Sequence, residues 1–332
     1  MTFEQIISDL KNKVYHPVYF LMGEEPYFID EISNYIAGNV LTEAEKEFNQ
    51  TILYGRDIDV DTIISEAKRF PMMANYQVVI IKEAQTIKNI EGLERYIGNP
   101  LKSTILVICY KYKKLDGRKK FTKDIGKAGV VFESGKLYEN KVHSWINNYL
   151  SAQGYKINPP ALLMLTEYLG TDLGTITNEL EKLMVNLPNG STINEEHIET
   201  NIGISKEFNR FELQKAIGIR NVLKANQIIN HFAANPTGNP VVLTISSLYS
   251  YFNKLVLFHK IVDKSRNNVA SILKINPYFV NEYEVAARNF HPVKIMHVIS
   301  DIREYDLRSK GVGNASTPGS ELIKELVFKI LH

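Results

Sequence analysis

PVYFLMGEEPYFIDE, residues 17–31, reads as a strand from Val18 to Met22 that stops at Gly23 and passes at once into a helix. In nucleotide-binding α/β proteins that junction often cradles a phosphate. Four more β-rich runs follow: FNQTILY (48–54), YQVVIIK (76–82), TILVICY (104–110) and GVVFES (129–134). Helix-like segments lie between them, as in Val60, Ile63, Ile64 and Ala67, spaced three and four apart. Strands rich in Val and Ile, apolar on both faces and joined by helices, predict a parallel sheet.

The junction has the place of a phosphate loop without its chemistry. A Walker-type loop needs G-x-x-x-x-G-K-[ST], in which glycines admit the phosphates, lysine meets their charge and a hydroxyl holds Mg²⁺. From Gly23 the chain runs GEEPYFID: Phe28 takes the second glycine's place, Ile29 the lysine's and Asp30 the hydroxyl's. Glu24, Glu25 and Asp30 would repel a polyphosphate. The companion motif ends a strand in a metal-holding Asp and a Glu, whereas here VVII is followed by Lys82 and Glu83. Gly23 is therefore expected to be a strand-to-helix turn, with the acids at the positive end of the helix dipole. No nucleotide cofactor is expected. The eight histidines, among them His143, His197, His231 and His259, are scattered, with no H-E-x-x-H context. No G-x-S-x-G elbow occurs and no carboxylate pair stands out, so no catalytic or metal-ligating residue is expected.

After Gly135 the strand signals stop, and helices alone are expected from Glu139. The first runs to about Gln153 with Gly154 as its cap, and the second starts at Asn158 with Pro159 in first helical position. The third carries Leu173, Ile176, Leu180, Leu183, Met184 and Leu187 at helical spacing; LPNGST (187–192) separates it from INEEHIETNI. FELQKAIGIRNVLKANQIINHFAA reads as a helical pair and NPTGNP (235–240) as a connector. VVLTISSLYSYFNKLVLFHKIVDK, apolar on more than one face, is expected to be a central packed helix. GVGNASTPGS (311–320) is a second connector before the last helix.

The 332 residues allow two or three domains, and a net charge of +2 means that any basic surface must be local. The single cysteine, Cys109, sits in an apolar run; one thiol neither staples a fold nor builds a Cys-based zinc site. Its burial and isolation fit a reducing cytoplasm. MTFEQIISDL has no leading basic cluster and does not read as a secretory signal. No apolar run is expected to approach the roughly 20 residues of a membrane helix, so no membrane partner is expected. One run is strongly basic. KYKKLDGRKKFTK (111–123) holds seven Lys/Arg against one Asp, and Lys119 and Lys120 are its candidate DNA-phosphate contacts. The same run also reads as a solvated loop and helix face, and Tyr112 and Phe121 are too few for a single-strand stacking platform.

Three stretches in order carry a resemblance: PVYFLMGEEPYFIDE (17–31), GTDLGTITNELEKL (170–183) and NPVVLTISSLYSYFNKLV (239–256). Together they resemble the delta subunit of the bacterial DNA polymerase III clamp loader, over essentially the whole chain. The resemblance implies α/β plus all-α architecture. An AAA+-like parallel-sheet domain without a working nucleotide site would span 1–138, a small helical lid 139–204 and a helical collar 205–332. It implies a subunit that binds and opens the sliding clamp and works beside ATPase and delta-prime subunits joined through the collar. Primer-template DNA would enter the assembled complex. No catalysis of its own is implied, although the holoenzyme it serves is a DNA-directed DNA polymerase, a nucleotidyltransferase.

In that family a short helix after the second strand–helix unit, tipped by large apolar residues, enters a pocket on the clamp. The matching stretch is AKRFPMMANYQ (67–77), which places Phe70, Met72 and Met73 in the clamp-binding element. The more usual tip pair includes Leu and Phe. Pro71 biases Phe70 away from helix and can itself begin a new one. Two adjacent methionines cannot both face one core from a short helix, and methionine suits an adaptable apolar contact. The other reading is that both close the core below the sheet. Three rival functions remain: a divergent ATPase, a DNA-binding module built on 111–123, and a delta-prime subunit. The last is weakened because delta-prime subunits commonly carry a cysteine-based zinc module.

Overall fold

Five strands form one parallel sheet: β1 (Val18–Gly23), β2 (Gln50–Tyr54), β3 (Gln77–Lys82), β4 (Thr104–Lys111) and β5 (Val130–Ser134), in the order β2-β3-β4-β1-β5. The computed structural model describes residues 1–314 and 316–332, leaving aside the side chains at 139 and 140. The chain divides into two units, Met1–Tyr138 and Glu139–His332. Six α-helices accompany the sheet in the first: α1 (Phe3–Lys11), α2 (Pro26–Asn39), α3 (Glu43–Asn49), α4 (Val60–Ala67), α5 (Glu94–Ile97) and α6 (Lys120–Ala128).

Successive side chains of a strand point to opposite faces, and the strand sequences are apolar at both parities. Val18, Phe20, Met22, Val79, Ile81, Leu106 and Ile108 pack with residues of α4, α5 and α6, including Ile63, Tyr96 and Phe121. Tyr19, Leu21, Val78, Ile80, Ile105, Val107 and Cys109 pack on the other face with Ile6 and Leu10 of α1 and Ile29, Ile32 and Ile36 of α2. Both faces are covered, as the Val/Ile-rich runs predict for a parallel sheet. Helix starts follow from local chemistry. Thr2 and Gln5 form a reciprocal capping box at α1, and the Glu25 side chain accepts from Tyr27 N–H at α2, where Pro26 needs no donor.

Cys109 is fully buried in the second of these layers, and desolvation pushes its thiol up to about 11 from 9.0. Its protonated form is thus favoured by folding. The associated stability is complete below the unfolded pKa and is lost as pH rises through the folded value, between roughly pH 9 and 11. Native Cys109 is expected to resist a maleimide reagent at pH 7, with labelling only at the rate of opening; mass spectrometry of a timed labelling series checks this.

The second unit is mainly helical. Its first part holds α7 (Glu139–Ala152), α8 (Pro159–Leu169), α9 (Leu173–Asn186) and α10 (Glu195–Ile202). Gly154 follows α7 with positive φ, and Asn158 caps α8 ahead of Pro159. The expectation of helices alone is corrected by a parallel pair, β6 (Lys156–Ile157) and β7 (Thr192–Ile193). Lys156 N–H donates to Ser191 C=O and Asn158 N–H to Ile193 C=O. Two-residue strands are too short to show the period-two alternation by which strands are recognised.

The remainder comprises α11 (Arg210–Gly218), α12 (Val222–Ala234), α13 (Val241–Lys260), α14 (Arg266–Leu273), α15 (Val280–Asn289), α16 (Pro292–Ser309) and α17 (Gly319–Leu331). One core draws on all seven, from Leu213 to Leu331. The expectation that no apolar run reaches membrane-spanning length is also corrected, because α13, with 20 residues, is long and apolar enough by length and composition. Here Ile245, Leu248, Phe252, Leu255 and Phe258 form a helical stripe buried in this core, as a central packed helix requires. Residue 315, within the second connector, lies outside the described residues.

Candidate functional site

The two ends of the parallel sheet carry different chemistry. At the carboxyl ends of β1, β3 and β4 stand Gly23, Lys82 and Lys111, where open α/β sheets usually bind ligands. The donors a phosphate would need are already used. Gly23 N–H donates to Lys113 C=O at 3.0 Å, Glu24 N–H to Ser134 C=O at 2.9 Å and Tyr27 N–H to the Glu25 carboxylate at 3.2 Å. Ser134 Oγ donates to Glu25 C=O at 2.7 Å and ties the loop to β5. Ile29 is buried in the core, so no cation stands in the lysine position.

Lys82 stands where the metal-holding Asp would be, and Lys111 brings a second ammonium group to Asp30. Lys111 Nζ lies 2.9 Å from Asp30 Oδ2 and 3.2 Å from Glu83 Oε1. Lys82 Nζ donates to Ser33 Oγ at 2.8 Å and Asn34 Oδ1 at 3.1 Å, with Asp30 Oδ1 at 3.7 Å. Desolvation alone would lower the Lys111 pKa, but the bonds to Asp30 and Glu83 and their charges outweigh it and raise it. The network thus favours the protonated amine, and its contribution would fade only as pH rises through the raised value. Lys111→Met removes the cation shared by Asp30 and Glu83. It is expected to destabilise the protein by roughly 1–3 kcal/mol, less than a fully buried pair because the carboxylates are partly exposed. Urea unfolding of both proteins measures the difference.

The opposite end of the sheet presents apolar side chains. Helix α4 runs back against the strands, so its last turn lies beside the starts of β3 and β4. The Ala67 carbonyl accepts from Thr104 Oγ1 at 3.0 Å and Tyr96 Oη at 3.2 Å, and the Glu66 carbonyl accepts from Gln77 Nε2 at 3.0 Å. The segment from Lys68 to Tyr76 thus leaves and re-enters a fixed frame. On the return, Ala74 and Tyr76 are partly buried, and Tyr76 meets the Tyr15 ring edge-on at 5.3 Å. Between these anchors Phe70, Met72 and Met73 project, with 78%, 54% and 100% of their surface exposed.

This segment corrects the expected helix. Residues 68–76 contain no helical turn; the chain bends from Met72 to Asn75, and Met73 has φ +54°. The reason is a side chain 23 positions away. Asn49, at the end of α3 and 2% exposed, accepts from Met72 N–H at 2.6 Å and donates to Met72 C=O at 2.9 Å. A helix beginning at Pro71 would need the Met72 carbonyl for its own ladder. The reading in which both methionines close the core is likewise excluded by their exposure.

The comparisons with known proteins converge. The family model described as DNA polymerase III, delta subunit matches residues 19–134, which hold the whole five-stranded sheet but for Val18. The DNA polymerase III subunit delta of Bacillus subtilis (strain 168) is 27% identical over 323 residues, 93% of this chain and 92% of that protein. Residues 19–134 thus match the delta-subunit family model, and the chain is similar to a delta subunit over nearly its whole length. For the fold, the solved structure of the Bacillus subtilis DNA clamp loader delta protein is similar at a TM-score of 0.54 and 23% identity, covering 99% of each chain.

The basic candidates are engaged locally. Lys119 Nζ lies 2.6 Å from Glu91 Oε1, and Lys120 Nζ pairs with Glu94 and lies 3.9 Å from Asp124 Oδ2. Both amines are raised in pKa, chiefly by the hydrogen bonds to Glu91 and Glu94. Phe121 is buried beneath them, so the run is a loop followed by one face of α6. No group of three or more His, Cys, Asp or Glu that could hold a metal occurs among the described residues. Asn49 is the residue of this candidate site that the sequence does not point to. It sits in FNQ, where neither charge nor spacing connects it to Met72.

Proposed function

We propose that this chain is a delta-type clamp-loader subunit that binds the sliding clamp through Phe70, Met72 and Met73 and holds the ring in an open geometry during DNA replication. The observation that carries this reading is the apolar tip: three large side chains exposed on a segment whose both ends and backbone are fixed. Exposed apolar side chains at the centre of an interface are the usual source of its affinity. The occupied phosphate loop supports a mechanical rather than a catalytic part, with nucleotide hydrolysis left to partner subunits. Residues 139–204 would act as lid and 205–332 as collar toward ATPase and delta-prime type subunits, within the polymerase III holoenzyme of the bacterial cytoplasm. Primer-template DNA meets the assembled complex, and the ion pairs of Lys119 and Lys120 speak against a dominant DNA site on this chain.

Calorimetric titration of the purified chain with its cognate clamp tests binding. Loss of clamp from a nicked circular DNA, measured with and without the chain, tests opening. Binding with release is expected; binding without release would reduce the role to docking, and absence of both with the isolated chain and the assembled loader would refute it.

A further inference from the structure

We infer that Asn49 is a positioning residue that presets the clamp-docking tip, an assignment that rests on the reading above. The side-chain amide of Asn49 is fully committed. Its Nδ2 donates to Glu45 C=O at 3.1 Å within its own helix and to Met72 C=O at 2.9 Å. Its Oδ1 accepts from Met72 N–H at 2.6 Å. Only an amide supplies two donors and an acceptor in this arrangement, and these partners fix which way round it sits. The bond to Glu45 anchors the side chain to α3, which leads directly into β2 of the sheet.

The effect is that a loop residue with a solvent-facing side chain has both backbone polar groups held by a buried one. Met72 is thereby kept out of the helical pattern, and the chain turns through the left-handed conformation of Met73, leaving that side chain wholly exposed. A tip free to reorganise would present its apolar groups for only part of the time, and apparent affinity falls in proportion to the competent fraction. Asn49 removes that loss before the clamp arrives. Its value lies in the conformation of the contact residues rather than in a contact of its own.

The test uses the full chain with Asn49→Leu, which has similar shape and neither donor nor acceptor, beside Met72→Ser/Met73→Ser. Hydrogen exchange followed by mass spectrometry with residue-level fragmentation reads the Met72 amide and, as internal reference, the amides of Val79 to Ile81 in β3. Calorimetry reads clamp affinity. In Asn49→Leu the Met72 amide is expected to exchange at least about tenfold faster, β3 to stay protected, and clamp affinity to fall by about tenfold. Unchanged Met72 exchange, or faster exchange with unchanged affinity, would overturn the assignment. Loss of β3 protection together with affinity would also overturn it, in favour of a general structural role. If instead Met72→Ser/Met73→Ser binds the clamp as the wild type does, the docking reading itself fails, whatever Asn49→Leu shows.

Discussion

Met72→Ser/Met73→Ser is expected to weaken clamp binding by about 100-fold or more while leaving the fold intact. The magnitude follows from burial. Taking a methionine side chain out of water contributes roughly 1.5–3 kcal/mol, and every 1.4 kcal/mol is about a factor of ten in affinity. Two such side chains therefore carry about two to four orders of magnitude if both enter the interface. The folded chain gains nothing from Met73, which faces solvent entirely, and only part of a burial from Met72, of which 54% is exposed. Replacing them should shift the free energy of unfolding by no more than about 1.5 kcal/mol. Serine keeps the Met72 backbone groups that Asn49 holds, so the loop geometry survives the change. Calorimetry with circular dichroism as the folding control measures both quantities. Affinity retained in the folded variant would move the docking element elsewhere. A larger loss of stability would mean that these side chains serve the core after all.

The sheet was legible in the sequence because its residues follow a local rule. Tyr19, Phe20 and Leu21 are buried on alternating sides, and a run such as VYFLM has no polar position to mark an outer face. Such a strand must be covered twice, and covering it twice requires helices between strands. The helix start at Asn158 was equally local, since the cap and its partner lie within three residues. The β6–β7 pair was illegible because it depends on two residues from each of two distant segments.

The candidate site divides along the same line. Ile29, Asp30 and Lys82 announce in sequence that a phosphate has no place here, because a phosphate motif is a list of residue types at fixed spacing. What replaces the phosphate was not announced. The pairing of Lys111 with Asp30 spans 81 positions, and the Ser134 bond to Glu25 spans 109. At the tip, Pro71 suggested a new helix by a rule that holds for isolated sequence. The long-range bonds from Asn49 override it, as tertiary contacts override weak local preference. That the tip side chains would be exposed followed only in part from their crowding. Their full exposure required knowing where α4 ends and which carbonyls its last turn gives up to Thr104 and Tyr96.

Gly23→Ala is expected to cost about 4 kcal/mol or more and to leave little folded first unit. Gly23 has φ +132°, outside the region any residue with a Cβ adopts at low cost. A Cβ placed there would also stand 2.0 Å from Ser134 O and 2.7 Å from Ser134 C and N. The obstacle is backbone and has nowhere to go. Gly23 pairs with Ser134 in the β1–β5 register, Glu24 N–H donates to the same carbonyl, and Ser134 Oγ holds Glu25 C=O. Gly126→Ala is the matched control: it lies inside α6 with no atom within 4 Å of the added methyl, and should stabilise by roughly 0.5–1 kcal/mol. Urea unfolding followed by circular dichroism reads both. Opposite signs would show that the glycine at the strand-to-helix junction is required by the close approach of β5, in a loop where the phosphate that usually explains such a glycine has been replaced by the protein's own carbonyls. A tolerated alanine at position 23 would mean that this junction can open, and would return the loop to consideration as a ligand site.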